Sequence, residues 1–324
     1  MRLALLILLL TLPARAEPLV DAAIAEHILP GTEKLSVEAD ALAGAAMEDC
    51  SPESTKLRAA YHKAFDAWVA VSHLRFGPAE DEDRAFALAF WPDPRGTTAK
   101  TLTRLLATED GTVETDAAFA RQSVAVRGFY ALERMLYDPP AGEAAYACRL
   151  TQAIARGIAR TTASMAREWP AHAALMRAPG AENPVYLGMG EVRRALYTAL
   201  DTGLEFTAAT RLGRPLGSLD KPRPKRAEAW RSGRSLRQVV LSLSASRALA
   251  STLQAGDKVD AAFARALSRA ETLDDPSFAG VSDPVGRLRV EALQQSVLAI
   301  RHALATELAP RLGVTAGFNS LDGD

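Results

Sequence analysis

Apolar side chains recur along this chain in steps of three and four, the period of a helix face. From Leu57 the large ones fall at Leu57, Tyr61, Phe65, Trp68 and Val71. Ser51-Pro52-Glu53-Ser54 precedes them, with hydroxyls that can cap a helix and an early carboxylate. Near the other end Leu293, Val297, Ile300, Leu304 and Leu308 repeat the stripe. Asp283 can cap that helix, Pro284 suits its first turn, and Pro310 is expected to close it. The pattern predicts helices over roughly 18–28, 33–48, 54–75, 98–107, 115–137, 143–176, 189–211, 227–254, 258–272 and 284–308. The best strand candidate, Val239-Val240-Leu241-Ser242-Leu243, has helical spacing on both flanks. The expected class is all-α. Breakers cluster at Ala178-Pro179-Gly180-Ala181-Glu182-Asn183-Pro184 and divide the pattern into two helical-bundle domains, 17–177 and 178–324.

Two stretches interrupt the helices. Phe76 to Thr97 holds Gly77-Pro78, the acidic run Glu80, Asp81, Glu82 and Asp83, and Phe90-Trp91-Pro92-Asp93-Pro94-Arg95-Gly96. Gly213 to Arg226 carries three prolines and the cations Lys221, Arg223, Lys225 and Arg226. Charge runs are usually solvated faces. The basic stretch Lys221 to Arg234, short and broken by proline, reads as a flexible linker.

The first residues change the picture of where the protein works. Met1-Arg2-Leu3-Ala4, an apolar run from Leu5 to Leu12 and Pro13-Ala14-Arg15-Ala16 have the order of a secretory signal peptide. The run is shorter than the ~20 residues that span a bilayer. Cleavage after Ala16 and a periplasmic location are expected, and no other segment suggests an integral membrane protein. Removing the leader takes Arg2 and Arg15 and no acid, leaving 36 basic against 39 acidic residues, a formal charge of −3. That balance makes no case for nucleic acid as a partner. Cys50 and Cys148 are the two cysteines. In an exported chain such a pair is most simply one disulfide.

Candidate chemistry is sparse. His27, His62, His73, His172 and His302 are scattered, and none pairs with another at i+3 or i+4. Each reads as a surface or capping residue. No zinc-protease, nucleophile-elbow or phosphate-loop motif is present. The exception is Arg127-Gly128-Phe129-Tyr130-Ala131-Leu132-Glu133, which puts a phenol and a carboxylate three residues apart on one helix face, with Arg127 beside them. Two readings stay open: a metal or ligand site built on Tyr130 and Glu133, or a buried hydrogen-bonded network at a seam. Arg75 could pair with Glu133 or Asp93. Asp93, between two prolines, is either a functional loop carboxylate or a loop anchor.

Four landmarks together resemble the imelysin-like family, whose members are also called insulin-cleaving peptidases. They are Trp68 followed by Arg75-Phe76-Gly77-Pro78, then Phe90-Trp91-Pro92-Asp93, then Gly128 to Glu133, and the tail from Leu312 to Asp324 with Asn319 and Asp322. The resemblance implies an exported all-helical protein of two bundle-like domains with a site near their junction. It also implies a connection to iron uptake, with an iron or heme species and other periplasmic or outer-membrane uptake proteins as partners. No cofactor can be named from the sequence; iron is the candidate. Gly128 and Glu133 match the family's Gly-x-His-x-x-Glu signature, and Tyr130 stands at its histidine. A phenol is a poor zinc ligand near neutral pH because it stays protonated, whereas ferric iron can take phenolate with carboxylate. The expected role is therefore a non-catalytic binding or accessory factor in iron acquisition. A metal-dependent peptidase and a purely structural interaction protein are the alternatives.

Overall fold

The computed structural model describes residues 17–315. The expected leader and the tail residues Asn319, Asp322 and Asp324 lie outside the described residues. The regular elements of the described residues are all helices, without a named strand; an isolated bridge joins Ser218 and Lys221.

Helix α1 (Pro18–Ala22) runs through a wider π turn, Ala23–Ile28, into α2 (Leu29–Glu48). The break expected between 28 and 33 does not occur. Pro30 has no N–H and crowds the carbonyl four residues back. The π turn covers that carbonyl, at Glu26, and lets the helix continue. Two more prolines are carried this way. The π turn Phe206–Leu212 links α9 (Met189–Glu205) to α10 (Gly213–Leu216) ahead of Pro215. The π turn Leu304–Leu308 links α13 (Pro284–Ala303) to α14 (Ala309–Leu312) ahead of Pro310, so Pro310 does not close the helix. Pro170 sits inside α8 (Ala144–Arg177) without such a turn.

Capping follows the sequence more closely. The Ser54 side chain accepts from Leu57 N–H and opens α3 (Thr55–Val71). Asp283 accepts from Val285 and Gly286 at the start of α13. Both predicted stripes, from Leu57 and from Leu293, are buried. The valine-rich segment at 239 lies in α11 (Ser235–Thr252).

Helix α2 packs against both α3 and α8, and α11 packs on α12 (Asp257–Glu271), which packs on α13. Helix α9 lies against α11 and α13, and α3 meets α11. Buried apolar side chains from both groups belong to one contiguous cluster. Cys50, just after α2, is bonded to Cys148 on α8, closing a loop of 98 residues. No helix among the described residues is long and apolar enough to cross a membrane.

The predicted helix 115–137 is instead three pieces: α6 (Asp116–Phe119), a 3-10 turn Val124–Val126 and α7 (Phe129–Tyr137). Between α3 and α6 lie α4 (Arg84–Leu88) and α5 (Thr97–Thr108). The predicted helix 227–254 begins only at Ser235; residues 227–234 form an irregular segment after the 3-10 turn Pro224–Arg226. These two departures build the site.

Candidate functional site

Gly128 is the residue before α7. A Cβ placed there would sit 2.3 Å from the Leu88 carbonyl oxygen, so only glycine lets the chain pass the end of α4 this closely. The helix that follows is held by its aromatics. Phe129 stacks on Phe65 of α3 with ring centroids 4.7 Å apart, and Tyr130 meets the same ring edge-on. That packing turns Tyr130 and Glu133, three residues apart, toward segment 227–234, and both are buried.

The segment answers with a second carboxylate. Tyr130 O–H donates to Glu228 Oε1, and Arg211 Nε donates to Glu228 Oε2 at 2.6 Å. Arg211 Nη1 also donates to Thr207 Oγ1 and Ser242 Oγ, each at 3.2 Å. The Ser235 hydroxyl donates to the Glu228 backbone carbonyl at 2.6 Å. Arg211 and Glu228 are each 4% exposed at the side chain, so this is an ion pair withdrawn from water and satisfied by its neighbours. Glu133 has a separate partner: Ser232 gives it both its backbone N–H (3.0 Å) and its hydroxyl (2.8 Å). Ala229 sits at φ 46° and turns the chain between these two contacts.

Burial, then the charge of Glu228, pushes the Tyr130 phenol well above its ordinary value. Burial also raises Glu133, against the opposing pull of its Ser232 donors. A seam network continues beyond. The buried Arg234 donates to His62 Nδ1 at 2.8 Å and to Asp66, and His62 Nε2 meets the Tyr137 hydroxyl at 2.7 Å. Burial would lift Asp66, but Arg237 and Arg234 hold it below the usual carboxylate range.

Two cavities flank this arrangement, and Tyr130 and Trp91 line both. The larger, of about 360 Å³, has Trp68, Phe86 and Phe206 on its walls and His73, Arg211 and Glu228 among its polar groups. The smaller, of about 170 Å³, opens between Trp91 and Trp230 and includes Asp93 and Glu133.

The predicted residues divide. Tyr130, Glu133, Trp91 and Asp93 share the smaller cavity. Asp93 is a helix cap as well: its oxygens accept from Thr97 and Thr98 N–H at 2.9 and 2.8 Å, opening α5. Burial opposes its ionisation, and those N–H donors outweigh it and lower the carboxyl. Arg75 reaches neither Glu133 nor Asp93; it pairs with Glu80 at the larger cavity's rim. Arg127 is not on α7 at all. The helix starts after Gly128, and Arg127 turns away to donate to the Ala120 carbonyl at 2.8 Å. Gly77, at φ +58°, and Pro78 form a 3-10 turn against His172, where a Cβ at Gly77 would come within 2.8 Å of the ring.

Glu228, Arg211, Ser232 and Trp230 escaped the sequence reading. Three of them lie in the stretch that reads as a linker, and nothing in its local pattern signals a buried carboxylate. The histidines also differ from expectation. His27 meets His73 at 3.0 Å and His172 meets Tyr186 at 2.9 Å, so these and His62 have tertiary partners.

The Imelysin family model (Peptidase M75) matches residues 28–304. This chain belongs to the imelysin family. A crystal structure of an imelysin-like protein from Psychrobacter arcticum 273-4 superposes with a TM-score of 0.75 at 18% identity, covering 92% of this chain and 96% of that one. An iron-regulated protein A precursor from Parabacteroides distasonis ATCC 8503 gives 0.57 at 13% identity, over 90% and 97%. Both likenesses bear on the fold. No curated protein matches the sequence. Within the imelysin signature, the tyrosine at 130 takes part in a carboxylate–guanidinium network. Among the described residues, no three histidine, cysteine, aspartate or glutamate side chains converge to hold a metal ion.

Proposed function

We propose that this imelysin is an exported, non-catalytic binding or accessory factor in bacterial iron acquisition. Family membership supports the iron context, together with the fold neighbour from Parabacteroides distasonis, described as an iron-regulated protein A precursor. One observation carries the non-catalytic part. The signature phenol donates to Glu228, which is already paired with Arg211. A phenol that is buried and facing a carboxylate stays protonated, so it neither ligates as phenolate nor serves as a base. Glu133 spends one oxygen on two Ser232 donors. A metallopeptidase needs a ligand set with an open position and a free general base. The groups here favour holding cargo over activating water.

The test uses the secreted protein with iron offered both as a ferric salt and as ferric citrate, alongside an unstructured peptide substrate. Retention of iron through gel filtration, with the peptide left intact, is the expected result. Chelator-sensitive cleavage that disappears in Glu133→Gln would overturn the reading in favour of a peptidase. Failure to retain iron in either form would remove the iron role.

A further inference from the structure

The smaller cavity is unusual in its charge. Its lining holds five cations, Arg134, Arg214, Lys225, Arg226 and Arg231, against the carboxylates Asp93 and Glu133. Asp93 accepts with both oxygens from the N–H groups that open α5, and Glu133 accepts from Ser232 with one oxygen. Arg134 and Arg231 share Asp138, at 3.3 and 2.9 Å. Arg214, Lys225 and Arg226 have no carboxylate partner among the described residues.

These cations are also directed. Arg214 lies over the Trp91 ring at 5.8 Å, and Lys225 and Arg231 lie over Trp230 at 5.7 and 4.6 Å. The indoles therefore hold cationic groups around a cleft they wall on two sides. Arg214 Nε and Arg134 Nε are both buried without a hydrogen-bond partner. Burial first, and then the nearby charge of Arg226, lower the Arg214 pKa.

We propose that the cleft between Trp91 and Trp230 binds a small polyanion through carboxylate or phosphate oxygens, and that iron reaches this protein as such an anionic chelate. The inference deepens the function above and rests on it only for the iron. Guanidinium forks match planar carboxylate and tetrahedral phosphate oxygens in pairs, which suits Arg214 and Arg226. A cavity of about 170 Å³ is far beyond the ~10–15 Å³ one water needs, and it is small for a peptide chain. Clefts with low-dielectric walls and an excess of one sign of charge, here five cations against two carboxylates, concentrate ligands of the other sign. A bare ferric ion, triply positive, would be repelled by the same field; a tricarboxylate complex with net negative charge would be drawn in.

Calorimetric titration of the secreted protein with citrate, ferric citrate and inorganic phosphate tests this. Citrate and ferric citrate should bind, with affinity that falls as salt rises. Lys225→Gln/Arg226→Gln, at two exposed positions, and Arg214→Gln should each weaken binding about tenfold or more while the fold, read by circular dichroism, is kept. Arg265→Gln, an exposed control on α12, should leave it unchanged. Phosphate binding more tightly than citrate would support the oxyanion site and assign it to phosphate-bearing ligands. Absence of binding by all three probes at millimolar concentration would overturn the proposal. So would wild-type affinity in both cleft variants, or an equal loss in Arg265→Gln. Iron retained at full strength by the cleft variants would leave the iron function standing and remove this site from it.

Discussion

Glu228 is the residue on which the site turns. It joins Tyr130 of α7 to Arg211 of the π turn before α10, and it lies in the irregular segment that precedes α11. A buried pair that loses one member leaves the other charge uncompensated, which costs about 3–5 kcal/mol. Glu228→Leu alone should therefore destabilise the protein by about that amount, read as a shift in urea midpoint. Arg211→Met alone should cost a similar amount. The double variant should recover much of the loss, since apolar pairs of similar volume often replace buried ion pairs at little cost. Additive losses would mean that the pair is not a coupled unit. Tyr130 and Glu133 could be singled out from a motif, because three-residue spacing on a helix is a local property. Glu228 could not: its partners are separated from it by 98 and 17 positions along the chain.

At the scale of elements, prolines set the departures from the expected pattern. Pro30, Pro215 and Pro310 each follow a π turn, so three helices continue where a local rule ends them. The first of these turns carries His27 to His73, just past the end of α3, at 3.0 Å. Burial lowers His27 to about 4 from 6.5, and lowers the fully buried His73 well below its ordinary value. Between 6.5 and 4 the unfolded chain takes up a proton at His27 that the folded chain does not. Stability from this group is therefore complete above pH 6.5 and declines as pH falls toward 4. The slope is at most about 1.4 kcal/mol per pH unit for each histidine. Urea midpoints measured from pH 7 down to 4.5 should fall more steeply for the wild type than for His27→Gln. Equal slopes would show that the pair does not bear on folding.

For the whole molecule, the disulfide links the loop after α2 to α8 and so ties the first helices to the longest one. It closes 98 residues, for which chain-entropy models give about 4–5 kcal/mol. Cys50→Ser/Cys148→Ser should lose about 4 kcal/mol of stability while keeping its helical circular dichroism. An unchanged denaturation midpoint would mean that the α2–α8 packing alone holds that end.

Helix content, the two long apolar stripes, the capping residues, the cysteine pairing and the family landmarks were all determined by the sequence alone. Each rests on neighbours within a few residues, on the compartment that favours disulfides, or on recurring motifs. What only the tertiary structure decided is which charges meet. It removed Arg127 and Arg75 from the Tyr130–Glu133 face and made Asp93 a cap as well as a wall. The 227–234 segment became the other half of the site. Burial and pairing of charges are long-range properties: they depend on which surfaces the packing of α3, α7 and α11 closes off from water, and no local spacing encodes that.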